Sequence, residues 1–280
     1  MSILCIPALI RGRHVRDAKL FPAEEFEARL AMLRERMQAD GVDVLILYSD
    51  SLSDDYVSWL TLYNNIITWT NAVLIVSLEA PPHLIVTVPP RDEKRVRGFT
   101  APGLDVEFAG MNLTANDHAG TKAAAYILEQ GLTGAGGGAG KRFAGVNLAE
   151  LPHKSMEDLE EAVGVLPDYT LWYEELRGVK TEAERAADRQ AAEIAEKMAR
   201  EFSLVCKAGV TQKAAAAEID RKARYAGVED VQILTGEGGG DAWLHLPYET
   251  EFSAGQSVRV LIQVQHLRSH AASEVVFTIV

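Results

Sequence analysis

The sequence predicts an α/β domain followed by an α+β domain, and three observations point there. Helix-like and strand-like segments alternate through the first 172 residues. A capping box at Thr181 and Glu184 then opens a pair of helices. Beyond the second helix come three apolar, strand-like runs with no helix between them. A chain of 280 residues is comfortable for two domains, expected at residues 1–172 and 173–280.

The elements follow in order. Residues 22–39 place Phe26, Leu30, Leu33 and Met37 at helical spacing, with Gly41 where a left-handed cap belongs. Residues 42–48 are an apolar run of the length of a buried strand. Two more strands are expected at 72–78 and 84–88, separated by Ala80-Pro81-Pro82. A helix at 120–129, a glycine-rich loop and a strand at 142–148 come next. A helix at 156–163 has Ser155 as its expected N-cap. The helix after Thr181 carries Ile194, Met198, Phe202 and Val205 on one face and ends by Gly209. Thr211 opens an alanine-rich helix that ends near Gly227, and its alanines suit close helix packing better than a cofactor. Strands are expected at 231–234, 258–264 and 274–280.

The totals exclude several classes. Apolar residues make up 48% and charged residues 24%, so the chain has globular composition. The net charge of −12 argues against nucleic acid, because phosphate binding needs clustered cations. Arg11-Gly12-Arg13 and residues 91–97 are short basic patches that fit solvated faces. Cys5 and Cys206 form neither a disulfide framework nor a zinc pattern. Residues 1–10 are too short an apolar run for a signal peptide, with their basic residues on the wrong side. No run reaches the roughly 20 residues of a membrane span. The expected compartment is the cytoplasm.

Several motifs fail on inspection. Residues 134–141 imitate a phosphate loop, but Ala135 and Arg142 stand where glycine and Ser or Thr are required, leaving a flexible connector. Gly236 to Asp241 is a second glycine cluster, open to a ligand or to plain mobility. His266 and His270 flank an expected hairpin turn, either as exposed side chains or as a metal pair.

Leu176-Arg177-Gly178-Val179-Lys180-Thr181, Ala208-Gly209-Val210-Thr211, Thr235-Gly236, His245-Leu246-Pro247 and the strand ending at Gln263 together resemble the aminopeptidase P, prolidase and creatinase family. Phe26 to Met37 and Gly41-Val42-Asp43-Val44 likewise resemble that family's N-terminal domain, so the resemblance spans nearly the whole chain. It implies a creatinase-like N-terminal α/β domain and the first half of a "pita-bread" α+β domain. Metal-dependent members hold two divalent ions through two Asp, one His and two Glu, and the ions activate water and clamp the oxyanion.

Carried across, the first aspartate position reads Gln263 and the second reads Glu274. The resemblance places the remaining His and Glu ligands beyond Val280. His245 matches the histidine that assists the transition state, and creatinase uses such a histidine without metal.

Three functions follow. The chain is a subunit of a C–N hydrolase, its own metal site degenerate and its catalysis dependent on a partner. Alternatively it is an autonomous metal-free amidohydrolase using His245, with Glu237 or Glu274 as auxiliary carboxylate. A binding or scaffold pseudoenzyme is the third. The expected substrate is a small amide or peptide. The expected partner is a longer related chain, in a homo- or hetero-oligomer. No cofactor is expected in this chain, and a divalent metal is expected in a partner.

Overall fold

A computed structural model describes residues 16–53, 55–63, 70–110, 117–132 and 140–280. The connector expected within 134–141 lies mostly outside these residues, as do Cys5, residues 1–10 and Arg11-Gly12-Arg13. The described chain divides into two compact units, the first running to Lys180 and the second starting at Thr181.

The first unit is a mixed sheet between helical layers. Its strands are β1 (Val44–Asp50), β2 (Asn71–Ser77), β3 (His83–Val86), β4 (Asp105–Phe108) and β5 (Phe143–Val146), in the order β4-β3-β2-β1-β5. The β1–β2 and β2–β3 pairs are antiparallel, while β1–β5 and β3–β4 are parallel. Both faces of the sheet are covered. Leu45 and Leu47 join Leu33 and Met37 of α1 (Ala23–Asp40) on one side. Val44 and Ile46 join Ala123 and Ile127 of α4 (Ala119–Glu129) and Leu159 of α5 (His153–Val163) on the other. Double coverage explains why β1 and β2 read as unbroken apolar runs without alternation.

The expected helix ends hold at α1: Gly41 takes φ 71° and its N–H returns to the carbonyls of Met37 and Gln38. Ser155 does not cap α5. Pro152 takes that place, which costs no hydrogen bond because the first helical donors have no intrahelical partner. The fully buried Ser155 hydroxyl instead meets His118 Nδ1 at 2.9 Å. Helices α2 (Asp55–Thr61), α3 (Glu93–Phe99) and α6 (Thr170–Arg177) are additional to those expected, as is β4. Helix α6 belongs to the first unit, where Tyr173 is fully buried and meets Trp59 edge-on.

The second unit has two helices on one face of an antiparallel sheet. The capping box forms as expected: Thr181 Oγ1 accepts from the Glu184 N–H at 3.2 Å, and the Glu184 carboxylate accepts from the Thr181 N–H at 2.8 Å. Helix α7 (Glu182–Val205) and helix α8 (Gln212–Tyr225) bury Ala191, Ala195, Ala199, Ala215 and Ala223 around Phe202 and Ile219. Strands β6 (Asp230–Glu237), β7 (Ser257–His266) and β8 (Ser269–Thr278) pair in sequence order.

Candidate functional site

The β7–β8 hairpin decides which side chains can meet. Leu267 and Arg268 form its two-residue turn, both at positive φ (53° and 69°), as the right-handed twist of hairpin strands demands. The resulting register sets Leu261 opposite Glu274 and Gln263 opposite Ala272. Pleating sends Val258, Val260, Ile262 and Val264 into the core under the helices. It sends Arg259, Leu261 and Gln263 to the other, open face. Gln263 and Glu274 therefore share the open face as diagonal neighbours.

Glu274 is already engaged. Arg259 Nε and Nη2 donate to its two carboxylate oxygens at 2.8 and 2.9 Å, a bidentate fork. Arg259 Nη1 donates to the Ala242 carbonyl at 2.9 Å, tying the fork to the loop after β6. The Arg259 hydrogen bond, with its charge, holds the Glu274 carboxyl below its usual range. Arg259 was not singled out by sequence reasoning. Its alternation with Val258 and Val260 puts it on the open face, but only the register of β8 reveals its partner.

Glu237 lies elsewhere. It pairs with Val258, so it points to the helix-facing side of the sheet, away from Glu274. There Gln212 Nε2 donates to Glu237 Oε1 at 3.0 Å. Gln212 is 1% exposed, and its Oε1 accepts from Thr235 Oγ1 (3.0 Å) and the Tyr248 N–H (3.1 Å). His245 completes this cluster. Its backbone exchanges two 2.9 Å hydrogen bonds with Thr235, and its ring stacks on Tyr248 at 4.2 Å and 9°. Nδ1 meets the Leu246 carbonyl at 2.8 Å. Thus His245 and Glu237 are connected through Gln212 and Tyr248, whereas Glu274 sits across the sheet. Gln212 is a second residue that sequence reasoning missed; Thr211, immediately before it, marked only a helix start.

Gly236 is required where it stands. A Cβ there would lie 2.6 Å from the Trp243 carbonyl oxygen, so this glycine admits the loop against β6. His266 and His270 do not form a metal pair. His266 is buried on the helix side and meets the Gly227 carbonyl at 3.1 Å, while His270 is exposed opposite Gln265. Two histidines four apart across a two-residue turn fall on opposite faces. On the open face Gln232, Gln263, Gln265 and His270 line a cavity of about 410 Å³.

The donor set does not fit a pair of divalent ions. Gln263 offers a neutral amide where a hard dication favours charged oxygen. Both oxygens of Glu274 serve Arg259. Among the described residues, no group of three or more His, Cys, Asp or Glu could hold a metal ion.

No family model matches the sequence, and no curated protein matches it. Solved structures do match. The X-Pro aminopeptidase from Thermotoga maritima MSB8 superposes with a TM-score of 0.69 at 16% identity, over 89% of this chain and 64% of that one. The chain has the prolidase and aminopeptidase fold. The prolidase from Pyrococcus horikoshii OT3 matches at TM-score 0.66 and 12% identity, over 90% of this chain and 65% of that one. The dipeptidase PepE from Mycobacterium ulcerans matches at TM-score 0.65 and 19% identity, over 92% of this chain and 65% of that one. The chain thus spans just under two thirds of the length of these structures. Among the described residues no helix is long and apolar enough to cross a membrane.

Proposed function

We propose that this chain is a subunit of an aminopeptidase P or creatinase-like hydrolase acting on the C–N bond of a small amide or peptide. Its own metal site is degenerate, and a longer related chain supplies the catalytic metal. One observation carries the reading: neutral Gln263 and Arg259-bound Glu274 share the face where the family resemblance puts two metal-binding aspartates. The fold of prolidases and an X-Pro aminopeptidase supports the hydrolase class. What this chain's residues do is hold the site's frame. Arg259 fixes Glu274 and the Ala242 segment together, and Gln212 fixes Thr235, Glu237 and Tyr248.

A second reading keeps catalysis in this chain. His245, linked to Glu237 through Tyr248 and Gln212, would move the proton at its ring nitrogen in a metal-free amide hydrolysis. Native mass spectrometry of the protein from its own source, with metal analysis of the same sample, separates the two. A heteromer whose metal follows the longer chain is expected. A metal-free homodimer that loses activity in His245→Ala transfers the chemistry to this chain. Stoichiometric divalent metal on this chain alone overturns both.

A further inference from the structure

The first unit contains a titratable cluster that no part of the proposed chemistry uses. His83 on β3 is 5% exposed. Its Nδ1 lies 2.7 Å from Asp105 Oδ2 and its Nε2 lies 3.2 Å from Glu107 Oε2. Its ring stacks on Tyr126 of α4 at 3.7 Å and 4°. The register explains the arrangement: His83 sits directly opposite Asp105 in a parallel pair, and Glu107 is two residues on, on the same face. Strand β4 is only four residues long and lies at the edge of the described sheet. Its backbone anchors include the Asp105 N–H to the Pro82 carbonyl (3.0 Å) and the Ala109 N–H to the Val86 carbonyl (2.9 Å).

Proton counting makes the cluster two-state. An imidazolium has two N–H donors and satisfies both carboxylates. A neutral imidazole has one donor, so one of the two carboxylates faces a ring lone pair. We propose that His83 is a pH-sensitive clamp: protonated, it fastens edge strand β4 to β3, and deprotonated, it releases one of the two fastenings.

The surrounding charges favour this state change. Burial alone lowers the His83 pKa, but hydrogen bonds and charges from Glu107 and Asp105 outweigh it, leaving the pKa above its ordinary value. Tyr126 faces the ring from α4, and burial with the same two carboxylates pushes its phenol up, so it stays neutral. Asp43, Glu79 and Lys141 face the adjoining cavity of about 320 Å³, which His83 and Tyr126 also line. The sign follows from linkage. The folded state holds the His83 proton more tightly, so the clamp is complete below the ordinary histidine pKa and is lost as pH rises through the folded one.

The test uses the whole chain. Nuclear magnetic resonance would follow the His83 ring protons and the exchange protection of the Asp105 and Ala109 amides, which donate to the Pro82 and Val86 carbonyls, across pH, corrected for intrinsic exchange. Protection is expected to fall about two- to five-fold, the range for partly exposed ion pairs, through the same titration as the ring. Asp105→Asn with Glu107→Gln changes only solvent-reached groups, so the sheet stays intact while the pH dependence disappears and the ring titrates lower. Protection that is flat through the wild-type titration, or that falls equally in the double variant, overturns the clamp.

Discussion

Gln212 is the residue whose removal says most about the frame around His245. In Gln212→Ala three hydrogen bonds vanish together. Two of the stranded partners, Glu237 and Tyr248, belong to exposed residues, where water replaces the lost bond. The third, the Thr235 hydroxyl, belongs to a residue only 1% exposed. A buried polar group without its partner costs about 1–3 kcal/mol. A total near 2 kcal/mol is expected, which lowers the midpoint of a domain of this size by roughly 10 °C. Gln212→Glu keeps the shape but sets a carboxylate where the amide met Glu237 Oε1 at 3.0 Å. Burial and like charge raise the new carboxyl's folded pKa above its unfolded value. The folded state then binds the extra proton more tightly, so this variant loses stability as pH rises from about 4 to 7. Thermal unfolding of the second unit, with amide exchange at Tyr248 as the local probe, measures both variants. A loss in Gln212→Ala below about 0.5 kcal/mol, the scatter of ordinary surface changes, refutes the hub, as does a deficit in Gln212→Glu that ignores pH.

Other expectations are simpler. Phe202 is fully buried and meets Phe277 edge-on at 6.3 Å, so Phe202→Ala should cost about 3–5 kcal/mol in the second unit. Calorimetry should show that transition falling while the first unit's stays. Burial pushes the Cys206 thiol up to about 12, so the peptide carrying it should resist alkylation at pH 8 until the protein is denatured, as peptide mass spectrometry will report. Burial holds His118 down to about 4, opposite in sign to His83. The unfolded chain binds that proton first, so the first unit should lose up to about 3 kcal/mol as pH falls from about 6.5 to 4. Denaturant titrations at both pH values check this, and His118→Asn should flatten the difference.

Much of the fold was legible because the responsible physics is local. Thr181 and Glu184 satisfy each other's backbone donors within one turn, and Gly41 reverses the chain by its own conformational freedom. The apolar runs of β1 and β2 announced a sheet covered on both sides. Some of the short elements were not legible. Helix α2 and strand β4 are too brief to establish a period, and Tyr173 commits α6 to the first unit by burial that no local pattern encodes. The site shows the same divide. Gln263 and Glu274 could be named through the family resemblance, but their common face depends on the Leu267-Arg268 turn. The Arg259 fork, and the separation of Glu237 from Glu274, depend on which way each strand's pleat points, which pairing alone decides.

In the proposed function, the open face carrying Gln263 and Glu274 binds no divalent metal. Titrating the chain with Mn²⁺ and following paramagnetic broadening of backbone amides tests it most directly. No selective broadening at Gln263, Ala272 or Glu274 is expected, and Gln263→Asp with Arg259→Ala should introduce it by freeing one carboxylate and adding another. Saturable broadening centred on Gln263 and Glu274 in the unaltered chain would contradict the claim.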